Sequence, residues 1–120
     1  KEVRDAVLQG DATDAARDFG RKFDCVWSFE VAEHLRPEDS ELFVRNCVRL
    51  AERFVVITAA PVGQQGHGHI NCRPHSDWVE LFAAAGAELD SELVEEVRGA
   101  WRAVDTVSYI VNNLMIFRVQ

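Results

Sequence analysis

Three stretches of this chain carry side chains that can do acid–base or ligand chemistry. Ser28-Phe29-Glu30-Val31-Ala32-Glu33-His34-Leu35 breaks an apolar run into two carboxylates and an imidazole. His67-Gly68-His69-Ile70-Asn71-Cys72-Arg73-Pro74-His75 gathers three histidines, an amide and a thiol. Gly10-Asp11-Ala12 is a short acidic turn. A carboxylate accepts from an exocyclic amine, and small or apolar neighbours stack on a ring. A neutral imidazole is a suitable base at about pH 7, so His67 and His69, with Asn71 beside them, can orient an acceptor or take its proton. His67, His69, Cys72 and His75 are also metal-ligand types, but their spacing matches no common zinc pattern. Each stretch has a purely structural reading too. Asp11 can cap a helix, Glu30 to His34 can be a solvated loop, and the histidine stretch can be ordered by side-chain-to-backbone bonds.

The elements that must position these residues follow from periodicity. Phe23 to Phe29 is short, aromatic and β-branched, as a strand covered on both faces would be. Phe54 to Ala60 is apolar throughout and reads as a second buried parallel strand, ended by Pro61. Ala6–Gln9 fits a short strand. Asp11 or Thr13 can cap a short helix over Asp14–Phe19, with Gly20 as its terminator. Pro37 opens a helix with Glu38, Asp39 and Glu41 in its acidic first turn, ending near Glu52. Val62 to Pro74 is a loop of about a dozen residues, longer than the ~4–6 typical of compact domains. Ser76-Asp77 caps a helix with Trp78, Leu81, Phe82 and Ala85 on one face and Gly86 as its stop. Leu89 to Val97 fits a strand or a helical turn. Val107 to Val119 predicts an antiparallel pair of late strands. Strands alternating with helices predict an α/β domain. In a parallel sheet the loops at residues 10–12, 28–34 and 60–71 rise on one edge and converge, where open α/β sheets hold ligands.

The bulk numbers narrow the function classes. The chain has 120 residues, enough for one domain with a real core. Apolar residues make up 48%, which argues against disorder. A formal charge of −7 argues against a nucleic-acid partner, because phosphate backbones need a basic face. No apolar run is long enough for a membrane span, and nothing reads as a signal peptide. Cys25, Cys47 and Cys72 are sparse and odd in number, and read as reduced thiols of a cytoplasmic protein, with Cys25 and Cys47 on apolar faces. Trp27, Trp78 and Trp101 read as core or sheet-covering residues, Trp101 being the one that could touch substrate.

With these residues in view the chain resembles the C-terminal two-thirds of a class I S-adenosylmethionine-dependent methyltransferase. Gly10-Asp11-Ala12 matches the turn after the family's third strand, and Phe23-Asp24-Cys25-Val26 the start of its fourth. Glu30-Val31-Ala32-Glu33-His34-Leu35 matches its E-V-x-E-H-[LV] signature. Phe54–Ala60 with Pro61 matches its fifth strand, and Trp78 to Gly86 its W-x-x-x-F-x-x-x-G helix. The resemblance implies a partial doubly wound, Rossmann-like sheet, mostly parallel with an antiparallel C-terminal strand pair, in one incomplete domain over residues 1–120. It implies S-adenosylmethionine as cofactor, held by Asp11, Ala12, Ser28, Glu30, Val31 and His34. It places the loop of His67, His69 and Asn71 over the transferred methyl group, as the G-H-x-H-x-N loop of some family members is. The family's glycine-rich loop after the first strand is missing, as is the acidic residue that holds the ribose hydroxyls. Gly63-Gln64-Gln65-Gly66-His67-Gly68 follows the fifth strand and is no substitute. Together with Lys1 in place of Met, this suggests a fragment. The expectation is methyl transfer to a small-molecule acceptor. The alternatives are a degenerate half that persists as an oligomer through its exposed sheet edge, and a metal-dependent hydrolase using the loop from His67 to His75.

Overall fold

The computed structural model describes residues 7–16, 18–104 and 107–120. Four strands form one sheet: β1 (Phe23–Phe29), β2 (Ala51–Thr58), β3 (Ala87–Leu89) and β4 (Leu114–Val119). Four α-helices accompany them: α1 (Ser40–Leu50), α2 (His75–Ala84), α3 (Ser91–Arg102) and α4 (Ser108–Asn113). Spatial order is β1-β2-β4-β3. β1 and β2 run parallel, with Val26 beside Val55 and Phe29 beside Thr58. β4 pairs antiparallel with β2 and with β3. This is the expected α/β, partial Rossmann-like sheet with an antiparallel pair at its C-terminal end.

The alternation of β2 and β4 explains the layering. Val55, Ile57, Met115 and Phe117 face α1 and α2, meeting Phe43, Val44, Cys47, Trp78 and Phe82 in the larger core. Phe54, Val56, Leu114 and Ile116 face the other way, toward Val94, Leu93, Val97 and Trp101 of α3. Two-sided burial is why these strands read as near-continuous apolar runs. Phe82 and Phe117 stack with ring centroids 4.0 Å apart, and Phe43 meets Trp78 edge-on at 6.4 Å.

Several sequence expectations are corrected. Ala6 lies outside the described residues, and Val7–Gln9 is irregular rather than strand. The described residues of the stretch Asp14–Phe19 are turn and irregular backbone rather than the expected helix. Asp11, Asp14 and Asp18 each accept from the backbone N–H two residues on, at 2.8, 2.9 and 2.8 Å. Such local bonds compete directly with helix formation. Pro37–Asp39 is a single 3-10 turn before α1, which ends at Leu50. Ala51 and Glu52 therefore open β2, while Ala59 and Ala60 fall beyond it. Ser76 and Asp77 lie inside α2, whose N-cap position is Pro74.

The stretch from Leu89 to Val97 divides at Asp90, whose side chain accepts from Leu93 N at 3.0 Å and starts α3. The segment expected to give two late strands gives α4 and β4; the antiparallel partner of β4 is β3 instead. Arg98 of α3 decides this. Its guanidinium donates to the carbonyls of Val111, Asn112 and Leu114, holding the end of α4 against α3.

β1 is not covered on both faces. Trp27 is 68% exposed and Cys25 is exposed, because the α3 layer reaches only as far as Phe29, which Trp101 meets at 6.0 Å. Trp78 is fully buried, as expected, and Trp101 is half-buried. Among the described residues no helix is long and apolar enough to cross a membrane.

Two outcomes are expected from this packing. Phe82→Ala removes the stacked partner of Phe117 and costs about 3–5 kcal/mol, read from urea unfolding midpoints; a loss below ~1 kcal/mol would contradict the stack's place in the core. Burial pushes the Cys47 thiol up to about 12, so timed iodoacetamide labelling with mass spectrometry should modify exposed Cys25 first and Cys47 only on unfolding.

Candidate functional site

Parallel β1 and β2 send their exit loops to the same edge of the sheet, and backbone bonds tie those loops together. Glu30 N donates to Thr58 O at 3.1 Å and to Thr58 Oγ1 at 2.9 Å. Ala32–His34 then forms one 3-10 turn. The Glu33 carbonyl accepts from both Ile70 N and Asn71 N at 3.0 Å. Asn71 is buried, and its amide donates to Ala32 O at 3.2 Å and to Ser40 Oγ at 2.8 Å. Its Oδ1 accepts from Arg73 Nε at 2.8 Å, and Arg73 reaches Pro37 O at 3.0 Å. Both ends of the Asn71 side chain are thus engaged in joining the two loops.

A cleft of about 380 Å³ lies between these loops, lined by Glu30, Glu33, His34, Gln64, His69 and Tyr109 among others. Glu30 sits at φ 52°, a left-handed conformation that favours glycine and costs other residues about 1–2 kcal/mol. That backbone turns its carboxylate toward Gln64 and Asn113, whose amides donate to Oε1 at 3.3 and 3.4 Å. Gln64 and Asn113 bond each other at 2.8 Å. The Glu33 side chain is wholly buried, and among the described residues neither of its oxygens has a hydrogen-bond partner. Burial raises its pKa above the ordinary 4.5, and the nearby Glu30 charge adds to this. The amides of Glu33 and Ala60 face the carboxylate and offset part of the rise without reaching hydrogen-bond geometry. The solvated-loop reading therefore fails for Glu33, while His34 is exposed.

A second cleft, of about 500 Å³, runs along the free edge of β1 and is lined by Ala12, Trp27, Ser28, Phe29, Val31 and Phe43 among others. An adjoining hollow of about 250 Å³ is bordered by Gly10, Asp11 and Ala12, with Asn46 and Leu50 of α1. Asp11 is exposed. The Thr13 hydroxyl at 2.7 Å, then the Thr13 amide at 2.8 Å, hold its carboxyl below the usual carboxylate range.

The expected site residues are thus divided between two clefts. Ala12, Ser28 and Val31 come together beside β1, with Asp11 next to them. Glu30, His34 and His69 come together between the loops. His67 is exposed and lines neither. His75 bonds Ala59 O at 3.1 Å, and the Cys72 thiol faces Gln64 O at 3.8 Å, so each is engaged locally.

Asn46 is a residue the sequence reading passed over. Its amide donates to Ala12 O at 2.9 Å and Asp14 O at 3.1 Å, fixing the acidic turn to α1. The available signal was an amide beside Cys47 in the apolar stripe of that helix. Gln64, Asn113 and Tyr109 were also missed: Gln64 lies in the irregular loop after β2, and Tyr109 and Asn113 lie in a segment that reads as strand but forms α4.

No family model matches the chain, and no curated protein matches it by sequence. Its fold is similar to several solved structures. Magnesium protoporphyrin IX methyltransferase from Synechocystis PCC 6803 with bound S-adenosylhomocysteine superposes with a TM-score of 0.62 at 14% identity, covering 94% of this chain and 50% of that one. An O-methyltransferase family protein from Burkholderia thailandensis gives 0.63 at 10% identity, covering 94% and 34%. The [4+2]-cyclase SpnF gives 0.56 at 12% identity, covering 92% and 55%. The chain shares the Rossmann-like fold of these structures, and it spans about half the length of the first of them.

The unpaired Glu33 carboxylate makes a pH-dependent prediction. Its folded pKa lies above the unfolded one, so the folded state binds this proton more tightly. The group's contribution is most favourable below about pH 4.5 and is lost as pH rises through the folded value. Glu33→Gln should therefore stabilise the chain at about pH 7 by about 1–3 kcal/mol, the range for a buried unpartnered polar group. The gain should shrink toward about pH 4. Urea midpoints at both pH values check this, and a destabilised variant at neutral pH would show that the carboxylate has a partner.

Proposed function

We propose that this chain takes part in transferring a methyl group from S-adenosylmethionine to a small-molecule acceptor. The observation that carries the reading is the sheet order β1-β2-β4-β3 with β3 and β4 antiparallel, whose parallel pair delivers two exit loops to one edge beside an apolar cleft. The solved structures of the same fold support it, one of them a methyltransferase with bound S-adenosylhomocysteine.

The residues present suit part of that cofactor. The cleft beside β1 has one rigid wall of strand and helix, lined by small and apolar side chains that can take an adenine ring. Asp11 Oδ1 is engaged by Thr13, which leaves the second oxygen of its exposed carboxylate to accept from the ring's amino group. Ala12 and Val31 flank the ring, and Ser28 offers a hydroxyl. The bound cofactor would supply the activated methyl group, so the protein's share is alignment and water exclusion. Glu30 and His34 carry the cofactor wall toward the loop cleft. His69 lines that cleft as a base for an O–H or N–H acceptor, while His67, exposed and outside the cleft, has no such role in this structure. Asn71, bonded at both ends, positions the loop that carries them.

Trp27, exposed on the free edge of β1, favours one second reading: a half-domain without activity that pairs through that edge. One experiment separates the two. Calorimetry of the chain with S-adenosylmethionine should show binding that Asp11→Ala weakens about tenfold, as loss of a charge-assisted hydrogen bond implies, and that Ala12→Trp abolishes by filling the cleft. No heat at millimolar cofactor from a folded, self-associated chain would sink the first reading and leave the second.

A further inference from the structure

We propose that Glu33, His34 and His69 form a binding site for a divalent transition-metal cation of the zinc and manganese class. One ligand atom from each side chain lies within 4.8 Å of the others. The site joins the two exit loops, so it exists only in the folded chain. It differs from the set suggested by spacing, in which His67 is exposed and His75 and Cys72 turn to backbone carbonyls.

The Glu33 carboxylate supplies an independent observation. It is fully buried, lines the cleft beside both imidazoles, and has no hydrogen-bond partner at either oxygen. A buried carboxylate in that condition calls for a cation or a proton. Glu30 adds to the demand, because its Oε2 is also buried without a partner in the same cleft.

The histidines point to the cation. His34 Nδ1 lies 3.0 Å from Gly68 O, and His69 Nδ1 lies 3.1 Å from Gln64 O. A carbonyl only accepts, so in each neutral ring Nδ1 carries the proton and Nε2 keeps its lone pair. Metal-binding histidines are oriented in this way, with the second ring nitrogen donating to a backbone carbonyl or carboxylate. The two rings meet edge to face with centroids 4.9 Å apart. The loop leaves room for His69 only because residue 66 is glycine; a Cβ there would come within 2.3 Å of Nε2.

Two imidazoles and one carboxylate suit a borderline transition metal, whereas calcium and magnesium prefer all-oxygen sets. Zinc–ligand bonds of about 2.0–2.2 Å place tetrahedral donors roughly 3.4 Å apart, so the set closes by roughly 1–1.5 Å on loading. His34 is exposed and His69 half-buried, and closing the set on a cation requires both rings to shift while each stays held at Nδ1 by a loop carbonyl. Three protein ligands leave coordination positions open toward Gln64 and Tyr109, where water or an oxygen donor completes the shell.

The site shares His34 and His69 with the methyl-transfer reading, and a bound cation would take the His69 Nε2 lone pair that a base needs; it is therefore tested with metal alone. Co²⁺, titrated into the whole metal-free chain, should give one equivalent of visible ligand-field absorption, displaced by Zn²⁺. His34→Ala and His69→Ala should each weaken binding at least about tenfold, the least expected of a lost ligand, while His67→Ala leaves it unchanged. Zn²⁺ should raise the melting temperature of the native chain but not of Glu33→Gln, which keeps the side chain's shape and removes its charge. That variant keeps the test decisive where a histidine variant does not fold. Sub-stoichiometric Co²⁺, binding that survives loss of both His34 and His69, or equal Zn²⁺ stabilisation of Glu33→Gln would overturn the site.

Discussion

The main-chain carbonyl of Glu33 holds this molecule's functional edge together. It takes two amide donors, Ile70 N and Asn71 N, from a loop that begins beyond Ala60. The segment between β2 and α2 has no regular structure of its own, and this junction, with the bonds from His34 Nδ1 to Gly68 O and from Gln64 to Glu30, fixes it against the turn after β1. Asn71 completes the junction from the other side by donating to Ala32 O and Ser40 Oγ. Backbone groups buried away from water must be paired, and here the pairing is exchanged between two loops. The sheet sets where those loops emerge; the Glu33–Asn71 junction sets how they face each other.

The same residue carries the opposite condition in its side chain. Fixing the backbone of Glu33 in a 3-10 turn against Asn71 drives its carboxylate inward, where neither oxygen is bonded. A local rule is broken at the place where both loops are most firmly held, and such breaches concentrate at functional sites. Glu30 repeats the pattern three residues earlier. Its left-handed backbone is held by Thr58 through two bonds to one amide. The strain and the unpaired charge both stem from the tight crossing at the end of β1, and the surrounding sheet supplies the stability that offsets them.

What could be read from the chain follows from which residues are governed by the sheet. Phe23–Phe29 and Phe54–Thr58 were legible as strands because apolar runs bounded by polar residues admit few other readings, and their parallel direction put the two exit loops on one edge. The sequence pattern also marked Glu30, His34 and His69 as neighbours in function. It did not separate them from Ala12, Ser28 and Val31, because consecutive residues Glu30 and Val31 face different clefts. Elements decided by a distant side chain were not legible. Val107 to Val111 carries β-branched residues, yet it leads into a helix whose last carbonyls receive Arg98 from α3, a contact that no local pattern reports. Asp14 to Phe19 has helical spacing, but each Asp satisfies the amide two residues on, which no periodic pattern reports.

The fold itself leaves the chemistry open. It is shared with methyltransferases and with a [4+2]-cyclase, so what the domain does is decided by its loops. In this chain those loops build two unlike walls. The cleft beside β1 is apolar and nearly uncharged, suited to a flat ring. The cleft between the loops holds two carboxylates and two imidazoles, suited to protons and cations. Glu30-Val31 is the hinge between them, and the left-handed turn at Glu30 is what lets adjacent side chains serve opposite clefts. A glycine there would relieve the strain but remove one of the cleft's two carboxylates. The strain at Glu30 is therefore better understood as the cost of keeping an acidic group where an apolar cleft meets a charged one.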